Sequence, residues 1–321
     1  MNSKLSENPV DKKGDWLGPL LVLCGGMSIG FAPIGLRLGI GLGEEGLGPQ
    51  AVAFWRYVFA TPMIFMLVVL IKKRLPVRPN KFVILAGIFF ALDIGLWHWA
   101  LTMTTVANTT FIVNLGNISV GLLALIFLKE KLTRNWAIAV IIAVIGAGLL
   151  TQGGEGNAAG NLRIYGDLLA VGAAILVSFY MLCIKIARRD ISGLDALFWV
   201  TVTEMIVAGL LVFLSSDGVN IWPFSLAPKE SFLPAISAGF HAPLMLAIIV
   251  QCLGQGLIIA GLGRCPAAMA GVLVLVQPVV AASIAWSLFD EPLLALQILG
   301  ALLILVGVAL SQTGKQPKKV S

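Results

Sequence analysis

Charged residues are scarce in this chain, and their scarcity excludes the ordinary soluble class of protein. Only 12% of the 321 residues are Asp, Glu, Lys or Arg, whereas 58% are hydrophobic. A soluble protein could not cover that much apolar surface with so few charges. The composition therefore indicates an integral membrane protein. Because no soluble basic module accompanies the net charge of +6, the sequence also argues against nucleic-acid binding.

Cysteine and histidine are also scarce, with four cysteines and two histidines in the chain. The cysteines lie in different apolar segments and form no CxxC pair, which argues against metal or redox chemistry. No Walker or HExxH sequence is present. The stretch Gly41–Gly46 matches GxGxxG, but no strand precedes it, so it predicts no dinucleotide site. We therefore expect no metal, no cofactor and no enzymatic activity.

The apolar residues that fill the chain fall into ten runs. A helix that crosses a bilayer takes about 20 residues, and most of the runs approach or exceed that length. The predicted spans are 16–37, 50–71, 82–102, 106–128, 134–151, 164–187, 194–214, 240–262, 267–288 and 294–312. They leave polar tails at 1–15 and 313–321. The sequence thus predicts an all-α integral membrane fold with ten transmembrane helices and membrane lipids around it.

The basic residues are sorted to one side of these ten spans. Eighteen of the 22 lie in the tails or in alternate connections, whereas Arg37, Arg163 and Lys229 fall on the opposite side and Arg56 falls inside the second helix. Cytoplasmic loops carry an excess of Lys and Arg. The distribution therefore predicts a multi-pass protein of the plasma membrane with both termini in the cytoplasm.

The two halves of the chain share a pattern. Shifting one half by 161 residues aligns Glu130 with Glu291, and each half then has an acidic turn followed by a glycine-bearing last helix. Five helices per half is an odd number, so the halves enter the membrane in opposite orientations. We therefore predict two inverted five-helix repeats, 16–151 and 164–312, joined by an external linker at 152–163, which is a construction common in secondary transporters.

Three stretches make the sequence similar to a known family. They are Asp93–Ala100 (DIGLWHWA), Thr105–Thr133 and Ala267–Leu293. The chain resembles the drug/metabolite transporter superfamily, in particular its EamA family of ten-helix exporters. That family usually has a proline at the middle of the fourth helix, where this chain has Asn117, while Pro278 keeps the proline in the second copy. The resemblance implies export of amino acids, nucleosides or other small metabolites across a bacterial inner membrane.

Two carboxyl groups lie near the middle of predicted helices, Asp93 in the third and Glu204 in the seventh. An ionisable group in a bilayer is costly unless it is paired or faces water, so both are candidates to carry protons or to bind a substrate ammonium group. Trp97, four residues after Asp93, shares its face and offers a cation–π contact. His98 points about 140° away and is either a ligand or a structural histidine. The alternative for both carboxyl groups is hydrogen bonding between packed helices.

Amide side chains occur at the same depth as these carboxyl groups. Asn114 and Asn117 share one face of the fourth helix, and Gln251 and Gln277 lie near the centres of the eighth and ninth helices. The common depth favours the wall of a substrate site, because transporters bind substrate at the membrane midplane between repeats. Hydrogen bonding between helices is the alternative for each amide.

Three further residues are candidates for gating. Arg56 lies inside the second helix near its outer end, where it either clamps a carboxylate, pairs with an acidic residue or reaches to the interface. Pro33 and Pro278 can bend their helices and act as pivots, or they can form fixed kinks.

Together these observations predict a secondary active transporter. The substrate is a small polar or amphipathic metabolite, such as an amino acid, which is exported by alternating access, and coupling to protons is an open question. Two alternatives are kept: an intramembrane enzyme that uses Asp93 and His98, and a lipid flippase of the same fold.

Overall fold

The computed structural model describes a chain that is helical over most of its length. The described residues are 16–40, 47–103, 106–150, 161–216, 218–221, 224–227, 231–234, 237–289 and 294–311. The predictions for both tails, for most of the 152–163 linker and for Lys229 and Glu291 lie outside these ranges.

The first half of the described chain contains six helices. They are α1 (Leu17–Ile29), α2 (Ala32–Ile40), α3 (Pro49–Lys72), α4 (Lys81–Met103), α5 (Val106–Leu128) and α6 (Arg134–Leu150).

The second half contains seven α-helices and two short strands. They are α7 (Asn161–Ala187), α8 (Gly193–Leu214), β1 (Val219–Ile221), β2 (Phe224–Ala227), α9 (His241–Leu246), α10 (Gly256–Leu262), α11 (Ala267–Leu273), α12 (Val276–Phe289) and α13 (Ala295–Ser311). A 3₁₀ turn at Ser237–Phe240 precedes α9, and a π-helical segment at Ala247–Gln255 joins α9 to α10.

All ten predicted apolar runs are helical, but two of them are not single helices as predicted. The first run breaks at Gly30–Phe31 between α1 and α2, and the ninth breaks at Val274–Leu275 between α11 and α12. A proline follows each break, and proline lacks the N–H that would bond to the carbonyl four residues earlier. Pro33 and Pro278 thus leave the carbonyls of Ile29 and Val274 without their usual helical donor.

The prediction of an all-α fold is confirmed apart from one short hairpin. Strands β1 and β2 form an antiparallel hairpin in the connection between α8 and α9, with Val219 opposite Ala227. Val219, Ile221 and Phe224 have high β-propensity, which suits a short hairpin outside the helices.

The helices turn apolar side chains outward and bury polar ones, the inverse of a soluble protein. The exposed fraction is 67% for Ile126 and 66% for Phe213, but only 3% for Asp93 and 0% for Glu204. Eight helical stretches of the described chain are long and apolar enough to cross a membrane, and Arg134–Leu150 and Ala295–Ser311 are apolar but shorter. The molecule is a multi-pass membrane protein.

The helices pack mainly across the two halves. Helix α4 lies against α7 and α8, and α1 lies against α10, α11 and α12, while α3 packs on α8, α5 on α11 and α6 on α13. In the order of each half, α1 corresponds to α7, α3 to α8, α4 to α10 and α6 to α13. The α4–α7 contact therefore corresponds to the α10–α1 contact, and the α3–α8 and α6–α13 contacts each join a helix to its own counterpart. This is the pattern that a twofold relation between the halves produces.

Hydrogen bonds connect the ends of several helices at one face of the molecule. We call it the basic face because Arg74, Lys185 and Arg188 lie there. Arg74 donates two hydrogen bonds, of 3.0 and 2.7 Å, to the buried Asp195 carboxylate at the start of α8. These bonds raise the pKa of Arg74, so the guanidinium stays charged at any physiological pH. Lys185 donates to the Cys265 carbonyl (2.5 Å) just after α10.

A second contact at the basic face joins the halves directly. The Glu130 carboxylate, which follows α5, accepts hydrogen bonds of 3.3 and 3.4 Å from the N–H groups of Ala267 and Ala268 at the start of α11. A carboxylate at a helix N-terminus satisfies donors that have no partner within the helix. This contact and the Arg74–Asp195 ion pair therefore hold the two halves together at this face.

Candidate functional site

A cavity lies between the two helix breaks. Its walls come from α1, α2, α4, α5, α7, α10 and α12, and its volume is about 120 Å³. The polar side chains that line it are Asp93, Asn114, Asn117, Tyr180 and Gln277. The rest of the wall is apolar or aromatic and includes Ile29, Phe90, Ile94, Trp97, Val113, Met181 and Val274. The composition of an apolar chamber with a few convergent polar groups is typical of a small-molecule site.

Asp93 is the acidic residue among the described residues of this wall. Its side chain is 3% exposed, and its Oδ1 atom is buried without a hydrogen-bond partner. Phe90 and Trp97, at three residues before and four after, lie on the same side of α4 and also line the cavity. The Phe90 ring lies 4.6 Å from that of Tyr180 on α7, measured between centroids. A carboxyl group with an unused oxygen therefore faces the cavity among three aromatic rings.

The asparagines of α5 are held in place by their neighbours. Asn117 Nδ2 donates to Asn114 Oδ1 at 3.3 Å, and both residues are buried. The Asn117 carbonyl lies so close to Gly271 of α11 that a side chain at Gly271 would overlap it. Glycine at position 271 thus allows the close approach of α5 and α11 that fixes this amide pair at the cavity wall.

Glu204 does not line the cavity but lies in a separate buried group, the glutamate cluster, formed by Thr201, Glu204, Gln251 and Gln255. Gln251 Nε2 donates to Glu204 Oε2 at 2.6 Å, and Gln255 Nε2 donates to Glu204 Oε1 at 2.5 Å. Gln251 also donates to Thr201 Oγ1 at 2.8 Å and to Gln255 Oε1. Both glutamines belong to the π-helical segment, a local structure often found at functional sites.

Arg56 is the buried cation near both carboxyl groups. It is 4% exposed, donates to the Tyr57 hydroxyl at 2.5 Å, and acts electrostatically on Asp93 and on Glu204. His98 is not part of the cavity wall. It makes a hydrogen bond with the backbone of Pro49 at the start of α3, and its ring lies 5.2 Å from that of Trp97.

The structure thus divides the predicted site residues into two groups. Those at the cavity wall are Asp93, Trp97, Asn114, Asn117, Gln277, Pro33 and Pro278. Those buried away from it are Arg56, His98, Glu204 and Gln251. Of the two residues that the enzyme alternative would use, Asp93 lines the cavity and His98 does not.

Sequence reasoning missed the aromatic residues Phe90 and Tyr180. Both carried a detectable signal, because Phe90 is three residues before Asp93 and Tyr180 is one of three tyrosines and lies inside an apolar helix. A buried tyrosine brings a hydroxyl that needs a polar neighbour.

Comparison with protein families gives a match over nearly the whole chain. The model of the EamA-like transporter family matches residues 16–152 and, a second time, residues 164–313.

Individual proteins with similar sequences are named as transporters. The uncharacterized transporter YetK of Bacillus subtilis (strain 168) is 25% identical over 79% of this chain and 75% of its own length. The uncharacterized transporter YyaM of the same organism is 24% identical over 81% of this chain and 83% of its own. A protein with a solved crystal structure superposes with a TM-score of 0.73 over 92% of this chain and 96% of its own at 15% identity, which shows a shared fold.

Proposed function

Because this chain belongs to the EamA-like transporter family, we propose that it is a secondary active transporter that exports a small polar or amphipathic metabolite and binds it in the cavity around Asp93. The observation that carries this proposal is the buried chamber between the helix breaks. It holds one carboxyl group with an unpartnered oxygen. A polar group kept unsatisfied inside a membrane protein is costly, which favours a functional role over a packing role.

We propose alternating access of two inverted halves, 16–151 and 164–312, as the means of transport. The double match to the family model and the exchangeable helix contacts support two related halves. Pro33 and Pro278 adjoin the breaks at the cavity, where a change of angle between α1 and α2 or between α11 and α12 would reshape its wall. Opening toward the basic face requires release of the Arg74–Asp195 and Glu130 contacts.

Orientation and coupling complete the proposal. The abundance of basic residues at one face supports a cytoplasmic location for that face and for both termini, in a bacterial inner membrane. Asp93 and Glu204 are the candidate proton carriers, and the amides of Asn114, Asn117 and Gln277 contribute polar contacts to substrate.

Replacing Asp93 tests the proposal. Purified protein is reconstituted into vesicles that are loaded with a pool of amino acids and other small metabolites, and efflux is followed by mass spectrometry with and without a pH gradient. We expect the wild type to release specific solutes unchanged and Asp93→Asn to slow that release by about tenfold or more, because a charge-assisted contact is lost. Unaltered efflux in the variant would remove Asp93 from the mechanism.

The matched control is Asp190→Asn, which makes the same chemical change at an exposed turn after α7. It should leave the rate unchanged. Recovery of a chemically modified solute would favour an enzyme instead.

A further inference from the structure

We propose that the cavity selects monocationic amines with an apolar body over zwitterions and anions, and that Asp93 holds either one such cation or one proton at a time. This inference rests on the proposed function and names the substrate class of the same site.

Charge balance in the membrane interior is the first step. Asp93 and Glu204 can each carry a negative charge, and Arg56, which acts on both, carries one positive charge. Glu204 accepts amide hydrogen bonds from Gln251 and Gln255, so donors within the protein already meet both of its oxygens. The unmatched charge is that of Asp93, whose Oδ1 has no partner. Since an uncompensated charge in a bilayer is costly, ionised Asp93 requires one further cation to balance it.

The cavity provides little for a substrate carboxylate. None of the described residues that line it is Lys, Arg or His. Free N–H groups at a helix start can bind an anion. At the α11–α12 break, however, the N–H groups of Leu275 and Gln277 already donate to the carbonyls of Val272 and Val274 at 3.1 and 3.0 Å. The carboxylate of an amino acid would therefore lose its hydration and gain only neutral amide contacts, beside the like charge of Asp93.

The remaining wall suits an apolar body attached to an ammonium group. Phe90, Trp97 and Tyr180 surround Asp93, and aromatic faces attract cations most strongly when water is excluded. Farther along the wall, Ile94, Val113 and Met181 are apolar contacts for a hydrocarbon or ring.

Proton exchange follows from the same balance. When an ammonium cation binds to protonated Asp93, the carboxyl group gives its proton to solvent and the resulting carboxylate pairs with the cation. One positive charge enters and one H⁺ leaves, so the net charge of the site does not change. The other titratable or charged groups that interact electrostatically with Asp93 are Arg56 and Tyr57 on α3 and Tyr180 on α7.

The test is the affinity of four probes that share a phenyl ring and differ in charge: 2-phenylethylamine, phenylalanine, 3-phenylpropionate and 2-phenylethanol. Binding to the purified full-length protein in detergent is measured by calorimetry. We expect the amine to bind about tenfold or more tighter than phenylalanine, with 3-phenylpropionate weakest. Asp93→Asn should weaken amine binding by about tenfold to a hundredfold, the value of a charged hydrogen bond, and leave 2-phenylethanol unchanged. Asp93→Glu, which keeps the charge, should retain the preference for the amine.

The pH dependence gives a second readout that a structural role for Asp93 would not produce. As pH falls below the titration point of the site, protons compete with the amine and its apparent affinity should drop by up to about tenfold per pH unit. Binding in weakly buffered solution should release protons. Neither effect should occur with 2-phenylethanol or in Asp93→Asn.

Several results would overturn the proposal. They are equal or tighter binding of phenylalanine, no binding of any probe, or amine affinity that is independent of pH in the wild type. Because the charge series and the pH profile use the wild type, they decide the question even where Asp93→Asn does not fold. If the amine binds as expected but does not cross the membrane in vesicles, the transport proposal fails while the charge selectivity of the cavity stands.

Discussion

Buried acidic side chains in this protein differ in how fully their neighbours satisfy them. Asp195 accepts two hydrogen bonds from Arg74, one from Ser192 at 2.5 Å and one from the Val77 N–H at 3.2 Å. Glu204 receives two amide donors, while Asp93 keeps an oxygen without a partner. Full satisfaction suits a residue that fixes structure, whereas an unmet hydrogen-bonding group is one that a ligand or proton can complete. The sequence analysis identified Asp93 and Glu204 but could not rank them, and it did not single out Asp195, whose partner Arg74 lies 121 residues away.

Arg56 and Tyr57 allow a test at the scale of one atom. Tyr57→Phe removes the hydroxyl that accepts a hydrogen bond from the buried guanidinium, with no other change in shape. We expect the free energy of unfolding to fall by about 1.5–3 kcal/mol, because a hydrogen bond to a charged group is lost. Thermal unfolding in detergent micelles, followed by tryptophan fluorescence, measures the change. The control is Tyr165→Phe, since Tyr165 is 43% exposed. Equal stability of the two variants would show that the Tyr57 hydroxyl adds nothing.

Close contact between helices depends on single glycines at the scale of secondary-structure elements. Helices α6 and α13 meet at Gly146 and Gly300, where a Cβ on Gly146 would lie 2.6 Å from the Gly300 carbonyl oxygen. Small residues at helix interfaces let backbones approach in membranes. The sequence predicted both helices and the glycine in each, but the choice of partner helix required the fold.

Two glycines on α6 form a matched pair for testing this contact. Gly146→Ala should destabilise the protein by about 1–3 kcal/mol, because the backbone atoms it meets cannot move aside easily. Gly148→Ala, two residues later, meets only the Phe111 ring at 3.7 Å and should be neutral or stabilising by up to about 1 kcal/mol through helix propensity. The midpoints of thermal unfolding compare the two variants. A loss of stability in Gly148→Ala as large as in Gly146→Ala would contradict the packing argument.

The two halves of the chain are interleaved at the scale of the whole molecule. The cavity is lined from both halves, and the contacts of Arg74 and Glu130 cross between them at the basic face. Under the alternating access that we propose, such contacts would break at one face while others form at the opposite face. Neither half can form the site alone.

Membrane topology is the property of the whole molecule that is most directly measured. The ten crossings that we propose would place both chain ends on the cytoplasmic side. Reporters whose activity depends on compartment, fused before Met1 and after Ser321 in separate proteins, should therefore both give the cytoplasmic signal. A reporter fused after Asp190, in the turn that follows Arg188 at the basic face, is the internal control and should agree with them. An external signal after Ser321 combined with a cytoplasmic signal before Met1 would require an odd number of crossings.

The sequence by itself determined the membrane class, the helical runs and the presence of carboxyl and amide groups at a common depth. These depend on composition and on spacing along the chain, which hydrophobicity and helix geometry fix locally. It also offered Pro33 and Pro278 as candidate bends, but it could not fix the break points, because Pro62 lies within the unbroken helix α3.

Only the tertiary structure decided which polar groups meet. Asp93 and Glu204 lie at similar depths, yet the first faces the cavity and the second is enclosed by Gln251 and Gln255. The rotation of each helix about its axis separates the two roles. That rotation is set by packing against helices distant in sequence, for which no local pattern in the sequence is sufficient.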